Sequence, residues 1–242
     1  MEKKLDDLNL QALAKKLDEA FGSGIVSVIL YGSAAADDWQ ERASDLNILC
    51  VLRTISTAEM KRAEPIFQWW AKQGNAAPVL MTEAEMTHST DCFPIEFHDI
   101  QERRRVLMGR DLAAELPIDF RYHRAFVERE LRSKQIRLRQ KAVELLGQPE
   151  RLVKLMTDSI STFCALGRHA LILGKRPAKW KKQEVLAAMG EATGEGLGAA
   201  QRVLGIRESG KKPAAQEVLG LLDEYLRDVD VIAGFVDSLD KQ

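Results

Sequence analysis

The chain has 242 residues, of which 45% are hydrophobic and 29% charged, and its formal net charge is -1. That length accommodates one large domain or two of ordinary size, and so balanced a charge excludes a global basic field for nucleic acid, leaving anions to local clusters. Cys50, Cys92 and Cys164 stand far apart with no CxxC spacing, which excludes a disulfide framework and a structural zinc site and fits reduced thiols in the cytoplasm.

The opening MEKKLDDLNLQALAKKL is charged and helical in period, unlike a secretory signal, and Leu10, Leu13, Leu17 and Phe21 mark its buried stripe. Gly22 or Gly24 is placed to end that helix. No apolar run approaches the ~20 residues that span a bilayer, so a soluble cytoplasmic protein without a membrane partner is expected. IVSVILY (residues 25–31) is short, β-branched and nearly all apolar, the pattern of a strand covered on both faces. Residues 32–44 are polar and alanine-rich, a loop or one short helical turn, and DLNILCVL (residues 45–52) forms a second strand. Ser56 and Glu59 spell a capping box that opens a helix running through Phe67, Trp69 and Trp70. APVLMT (residues 77–82) is a third strand, and Thr82 with Glu85 repeats the box. FPIEFHDI (residues 93–100) is expected as a fourth strand, with Asp99 capping a helix after it and Glu102 completing that box.

From Asp119 onward every segment has helical period. Val127, Leu131, Leu138, Ala142 and Leu145 form one stripe; Leu152, Met156, Phe163 and Ala170 form a second, with Gly174 and Pro177 at its end. Pro213 precedes a last helix, along which Val218, Leu222, Tyr225, Val229, Ile232, Val236 and Leu239 recur at alternating threes and fours. The expected plan is α+β: a sheet domain over residues 1–118, then an all-α antiparallel bundle over 119–242. Residues 190–198 and 207–213 are its connections.

Chemistry concentrates in YGSAAADDWQERASDLNILCVL (residues 31–52). Alternate strand residues share a face, so Asp45 and Asn47 point one way while Leu46 and Ile48 point into the core. A Gly-Ser turn offers backbone N–H groups and a hydroxyl suited to a phosphate. Glu96 supplies a further carboxylate; if its strand lies beside the second one, Asp45, Asn47 and Glu96 converge at one sheet edge.

A strand, a Gly-Ser turn, a loop, then Asp-x-Asp on the next strand and a third acid resembles the nucleotidyltransferase superfamily, in particular its aminoglycoside and lincosamide antibiotic-modifying branch. Tyr31-Gly32-Ser33 and Ser44-Asp45-Leu46-Asn47 stand in the first two motif positions, Glu96 in the third. The resemblance covers the first half of the chain. It implies a nucleotidyltransferase-like mixed sheet with flanking helices. It also implies transfer of a nucleoside monophosphate from a nucleoside triphosphate to a hydroxyl, with Mg²⁺ stabilising charge as the α-phosphorus is attacked. Gly32 and Ser33 would then hold the β- and γ-phosphates, Asp45 would ligate metal, and Glu96 would ligate metal or act as base. The acceptor is a small molecule or a protein, not identified by the sequence.

Asn47 departs from that pattern: its amide oxygen coordinates a cation without the charge that a carboxylate brings. Three outcomes stay open. One metal suffices; Asp37, Asp38 or Glu41 substitutes; or catalysis is lost and nucleotide binding persists, leaving a silent regulatory module.

Residues 121–141 carry eight Lys or Arg against two Glu, a solvated charged face by default. Arg129, Arg132 and Arg139 lie near one line of that helix, and arginine suits phosphate geometry, so Arg132 and Arg139 are carried as nucleotide-binding candidates. Arg103, Arg104 and Arg105 are offered for the same task. His88, His98, His123 and His169 show no metal-ligand spacing and are expected at the surface or partly buried, and Trp69 and Trp70 belong to core or rim. The helical half lacks an Arg-x4-His ribonuclease motif, and no basic, aromatic RNA-binding module is present, so nucleic acid is not the expected partner.

Overall fold

A computed structural model describes residues 2–35 and 46–239, with side chains from residue 7 onward. The chain divides into two compact units, Met1–Asp119 and Phe120–Gln242. No helix among the described residues is long and apolar enough to cross a membrane.

In the first unit, helix α1 (Glu2–Phe21) ends at the Gly22–Gly24 turn and leads into strand β1 (Ile25–Tyr31). A 3-10 turn at Ser33–Ala35 follows β1, and the next described elements are β2 (Asn47–Leu52) and α2 (Thr57–Lys72). Ser56 caps α2 as the sequence predicts: its hydroxyl accepts from the Ala58 N–H at 3.1 Å, and the Glu59 carboxylate accepts from the Ser56 N–H at 2.9 Å. Strand β3 (Val79–Thr82) runs into α3 (Glu83–His88) through the second box, with the Thr82 hydroxyl accepting from the Glu85 N–H at 3.1 Å.

The fourth strand is not where the sequence places it. Residues 94–102 form α4 (Pro94–Glu102), and the strand β4 is Arg104–Gly109. Pro94 takes the first helical position, where its missing N–H costs nothing and its fixed φ suits the turn. Pro94, Phe97 and Ile100 then share the buried side with Ile95. Asp99 lies inside this helix and Arg103 leads from it into a strand, so no helix follows for Asp99 to cap.

The strands are ordered β3-β2-β1-β4, with β1 antiparallel to both neighbours and β2 parallel to β3. Burying both faces of the central pair explains its apolar run. Val28, Leu30, Ile48, Cys50 and Leu52 pack with Leu13, Leu17 and Trp70 of α1 and α2. Ile29, Leu49 and Val51 pack on the other side with Met86, Phe97 and Ile100 of α3 and α4. Cys50 and Cys164 are buried, which pushes each thiol up to about 12. Only Cys92 is exposed, and all three are free.

The second unit is wholly helical among its described residues: α5 (His123–Val143), α6 (Pro149–Leu173), α7 (Lys182–Thr193), α8 (Gly198–Ser209) and α9 (Val218–Ser238). The predicted stripes on α5, α6 and α9 form its core, with Val127, Leu131, Leu152, Phe163, Tyr225 and Val229 fully buried. Helix α8 begins without a side-chain cap of its own, since Leu197 precedes it. Asp228 of α9 supplies the acceptor instead, taking the Ala200 N–H at 2.7 Å. Burial raises the Asp228 carboxyl above its usual range even though the Ala200 and Ala199 N–H groups pull it down. Asp228→Ala is therefore expected to lower stability by about 1–2 kcal/mol, the range for a lost N-cap. Asp228→Asn keeps an acceptor without the buried charge and should stay within about 0.5 kcal/mol of the wild type. Urea unfolding of both variants checks this, and a larger loss from asparagine than from alanine contradicts it.

Candidate active site

Tyr31 is the last residue of β1, paired across the sheet with Asn47 of β2 on one side and Arg104 of β4 on the other. The alternation that sends Leu46 and Ile48 towards α1 and α2 sends Asn47, with Leu49 and Val51, towards α3 and α4. Tyr31 packs against that same cluster. Asn47 is half-buried at the start of its strand.

Gly32 follows with φ +82°, and a Cβ on it would lie 3.3 Å from the Asn47 amide nitrogen. Two requirements therefore fix glycine here: left-handed backbone and close approach of the Asn47 side chain. The Gly32 N–H donates to the Arg103 carbonyl at 3.0 Å, and its own carbonyl accepts from the Ala35 N–H at 3.1 Å. The first bond ties the Gly-Ser turn to the end of α4. It also occupies the Gly32 amide. Ser33, next in the chain, is exposed.

Glu96 reaches this region by a different route from the one expected. Rather than standing on a neighbouring strand, it sits in the first turn of α4, exposed, beside the buried Ile95 and Phe97. A carboxylate in a first turn is favoured by the helix dipole. Its charge is felt at Tyr31, whose phenol is raised above the usual range first by burial and then by Glu96. The structure thus brings Gly32, Asn47 and Glu96 to one face and one end of the sheet. Asp45, Asp37, Asp38, Glu41 and Ser44 lie outside the described residues.

The remaining basic candidates are largely engaged. Arg104 makes a two-pronged ion pair with Asp111 at 2.7 and 2.8 Å and also donates to the Gln101 carbonyl. Arg105 pairs with Asp7 at 2.9 Å. Arg132 and Arg139 belong to α5 of the second unit; Arg139 is exposed and pairs with Asp230 at 3.1 Å, while Arg132 is half-buried. Two histidines expected at the surface or partly buried are fully buried: His123 and His169 bring ring nitrogens within 2.9 Å of each other, a mutual hydrogen bond that lets both leave water. Asn47 and Glu96 offer hard oxygen donors on one face, a donor set that fits Mg²⁺ rather than a soft metal.

Comparison with solved structures adds the deciding observation. Spectinomycin adenyltransferase AAD(9) from Enterococcus faecialis, solved with ATP and spectinomycin, matches at a TM-score of 0.58, covering 97% of this chain and 99% of that one. The fold is that of this adenyltransferase. Sequence identity over the match is 15%, so the nucleotidyltransferase likeness is one of backbone architecture. No family model matches the sequence, and no curated protein does. Tyr31, quoted in the sequence motif without a role of its own, occupies the last position of β1.

Proposed function

We propose that the protein transfers a nucleoside monophosphate from a nucleoside triphosphate to a hydroxyl of a small molecule or protein. The observation that carries this reading is the nucleotidyltransferase fold extending over nearly the whole chain. The acceptor oxygen bonds to the α-phosphorus, the bond to the β-phosphate oxygen breaks, and pyrophosphate leaves. Glu96 takes the acceptor's proton or shares a metal ion with Asp45 and Asn47. Mg²⁺, when bound, supplies positive charge to the triphosphate. Ser33 holds phosphate at the turn that Gly32 shapes. The reacting carboxylates fall in residues 1–118, with 119–242 as the bundle domain.

The test is calorimetric titration of ATP, GTP, CTP and UTP, each with and without Mg²⁺, on the wild type and on Asp45→Asn. Metal-dependent binding of a nucleotide by the wild type, weakened at least ~10-fold in Asp45→Asn, is expected from the loss of a charged ligand. Spectinomycin is the first acceptor to assay, since AAD(9) was solved with it. One observation favours a second reading, a nucleotide-binding module without transfer: the neutral Asn47 where the resemblance implies an acid. Nucleotide binding indifferent to Mg²⁺ and to Asp45→Asn would support that reading over transfer.

A further inference from the structure

Tyr31 carries more chemistry than its place in the core requires. Its ring packs against the cluster that includes Ile29, Leu49, Phe97 and Ile100, and a phenyl ring alone would fill that space. The hydroxyl is surplus to packing. Among the described residues it has no hydrogen-bond partner, while its strand neighbour Arg104 is committed to Asp111. A half-buried phenol is normally placed so that its polar end meets something.

Its surroundings say what. Tyr31 directly precedes Gly32, whose positive φ turns the chain at the end of β1. Across the sheet it pairs with Asn47, and Glu96 is carried above it on α4, one residue before the Phe97 that shares its cluster. A phenol keeps its proton at neutral pH and so is a donor there. A donor on a fixed ring at this end of the sheet is the complement an anionic substrate needs.

We propose that Tyr31 is a substrate contact, its hydroxyl donating a hydrogen bond to a phosphoryl oxygen of the nucleotide at the face shared by Asn47 and Glu96. This rests on the nucleotidyltransferase reading above. The hydroxyl would act by positioning and by charge stabilisation, with no proton transferred from it.

The experiment compares the wild type, Tyr31→Phe and Asp45→Asn by calorimetric titration with MgATP and by thermal melting. Tyr31→Phe keeps the ring and is expected to melt with the wild type while binding MgATP about 10- to 100-fold more weakly, the range for one hydrogen bond to a charged group. Unchanged MgATP affinity in Tyr31→Phe, together with loss in Asp45→Asn, overturns the assignment of Tyr31 and leaves the transferase reading standing. A melting temperature well below the wild type in Tyr31→Phe makes the hydroxyl structural and overturns it as well. If the wild type takes up no MgATP, the transferase reading and the Tyr31 contact fall together.

Discussion

Gly109→Ala is expected to destabilise the first unit by about 3–4 kcal/mol, the sum of overpacking and a strained backbone. Gly109 ends β4 opposite Ser27 with φ +79°, and a Cβ there would lie 2.2 Å from the Val26 carbonyl oxygen and 2.9 Å from its carbon. Both obstacles are backbone, so no rotamer change relieves them. The carbonyl that must move is also the one that accepts the Arg110 N–H at 3.0 Å. Next to it, the buried Ser27 hydroxyl donates to the Arg110 carbonyl at 2.6 Å. Gly74 provides the control: its φ is +84°, yet a Cβ there meets nothing within 4 Å. Gly74→Ala should therefore cost only the conformational share, about 1 kcal/mol. Urea unfolding of the two variants separates the contributions, and equal losses would show that β4 yields without strain.

This contrast marks what the sequence revealed and what it did not. Local rules were legible wherever one short segment decides its own structure. Ser56 with Glu59 and Thr82 with Glu85 announced two helix starts that the structure places at those residues, and the apolar run of β1 gave the strand its limits. The stripe on α9 was equally plain, because three-and-four spacing over so many turns has no other reading. Residues 93–100 were ambiguous for a physical reason. Ile95 and Phe97 satisfy a period of two, while Pro94, Phe97 and Ile100 satisfy a helix, and Pro94 at the first helical position settles the matter. The true edge strand was disguised by Arg104 and Arg105, charges that suit an exposed edge but mask its alternation. Asp228 capping a helix some thirty residues earlier depends on tertiary packing, which no local pattern encodes. At the candidate site, Gly32 was legible as a turn residue and Asn47 as a strand residue, but their close approach was not. Glu96 was legible as a residue but not as a position, because its element was misread. The commitment of the Gly32 N–H to Arg103 followed from that element and was invisible with it.

Asn47→Asp should strengthen divalent-cation binding by about tenfold or more, the effect of turning a neutral ligand into a charged one. The two side chains are isosteric, so the approach to Gly32, 3.3 Å from the Asn47 nitrogen to a Cβ there, needs no rearrangement. The added charge falls on the face that already carries Glu96, whose field is felt at Tyr31. Without a divalent ion that repulsion should lower the melting temperature of Asn47→Asp below the wild type. With Mn²⁺ or Mg²⁺ present the order should reverse, because an ion that binds only the folded state stabilises it by mass action. Melting curves with and without Mn²⁺, and Mn²⁺ titration followed by its electron-spin signal, measure both effects without an acceptor or any turnover. A metal-dependent crossover places position 47 among the cation's ligands and makes asparagine a weakened but positioned member of that set. Identical Mn²⁺ affinity in the two proteins would remove Asn47 from the metal's ligands. The cation would then rest on Glu96 and the acids before β2, and the neutral residue would serve the Gly32 turn alone.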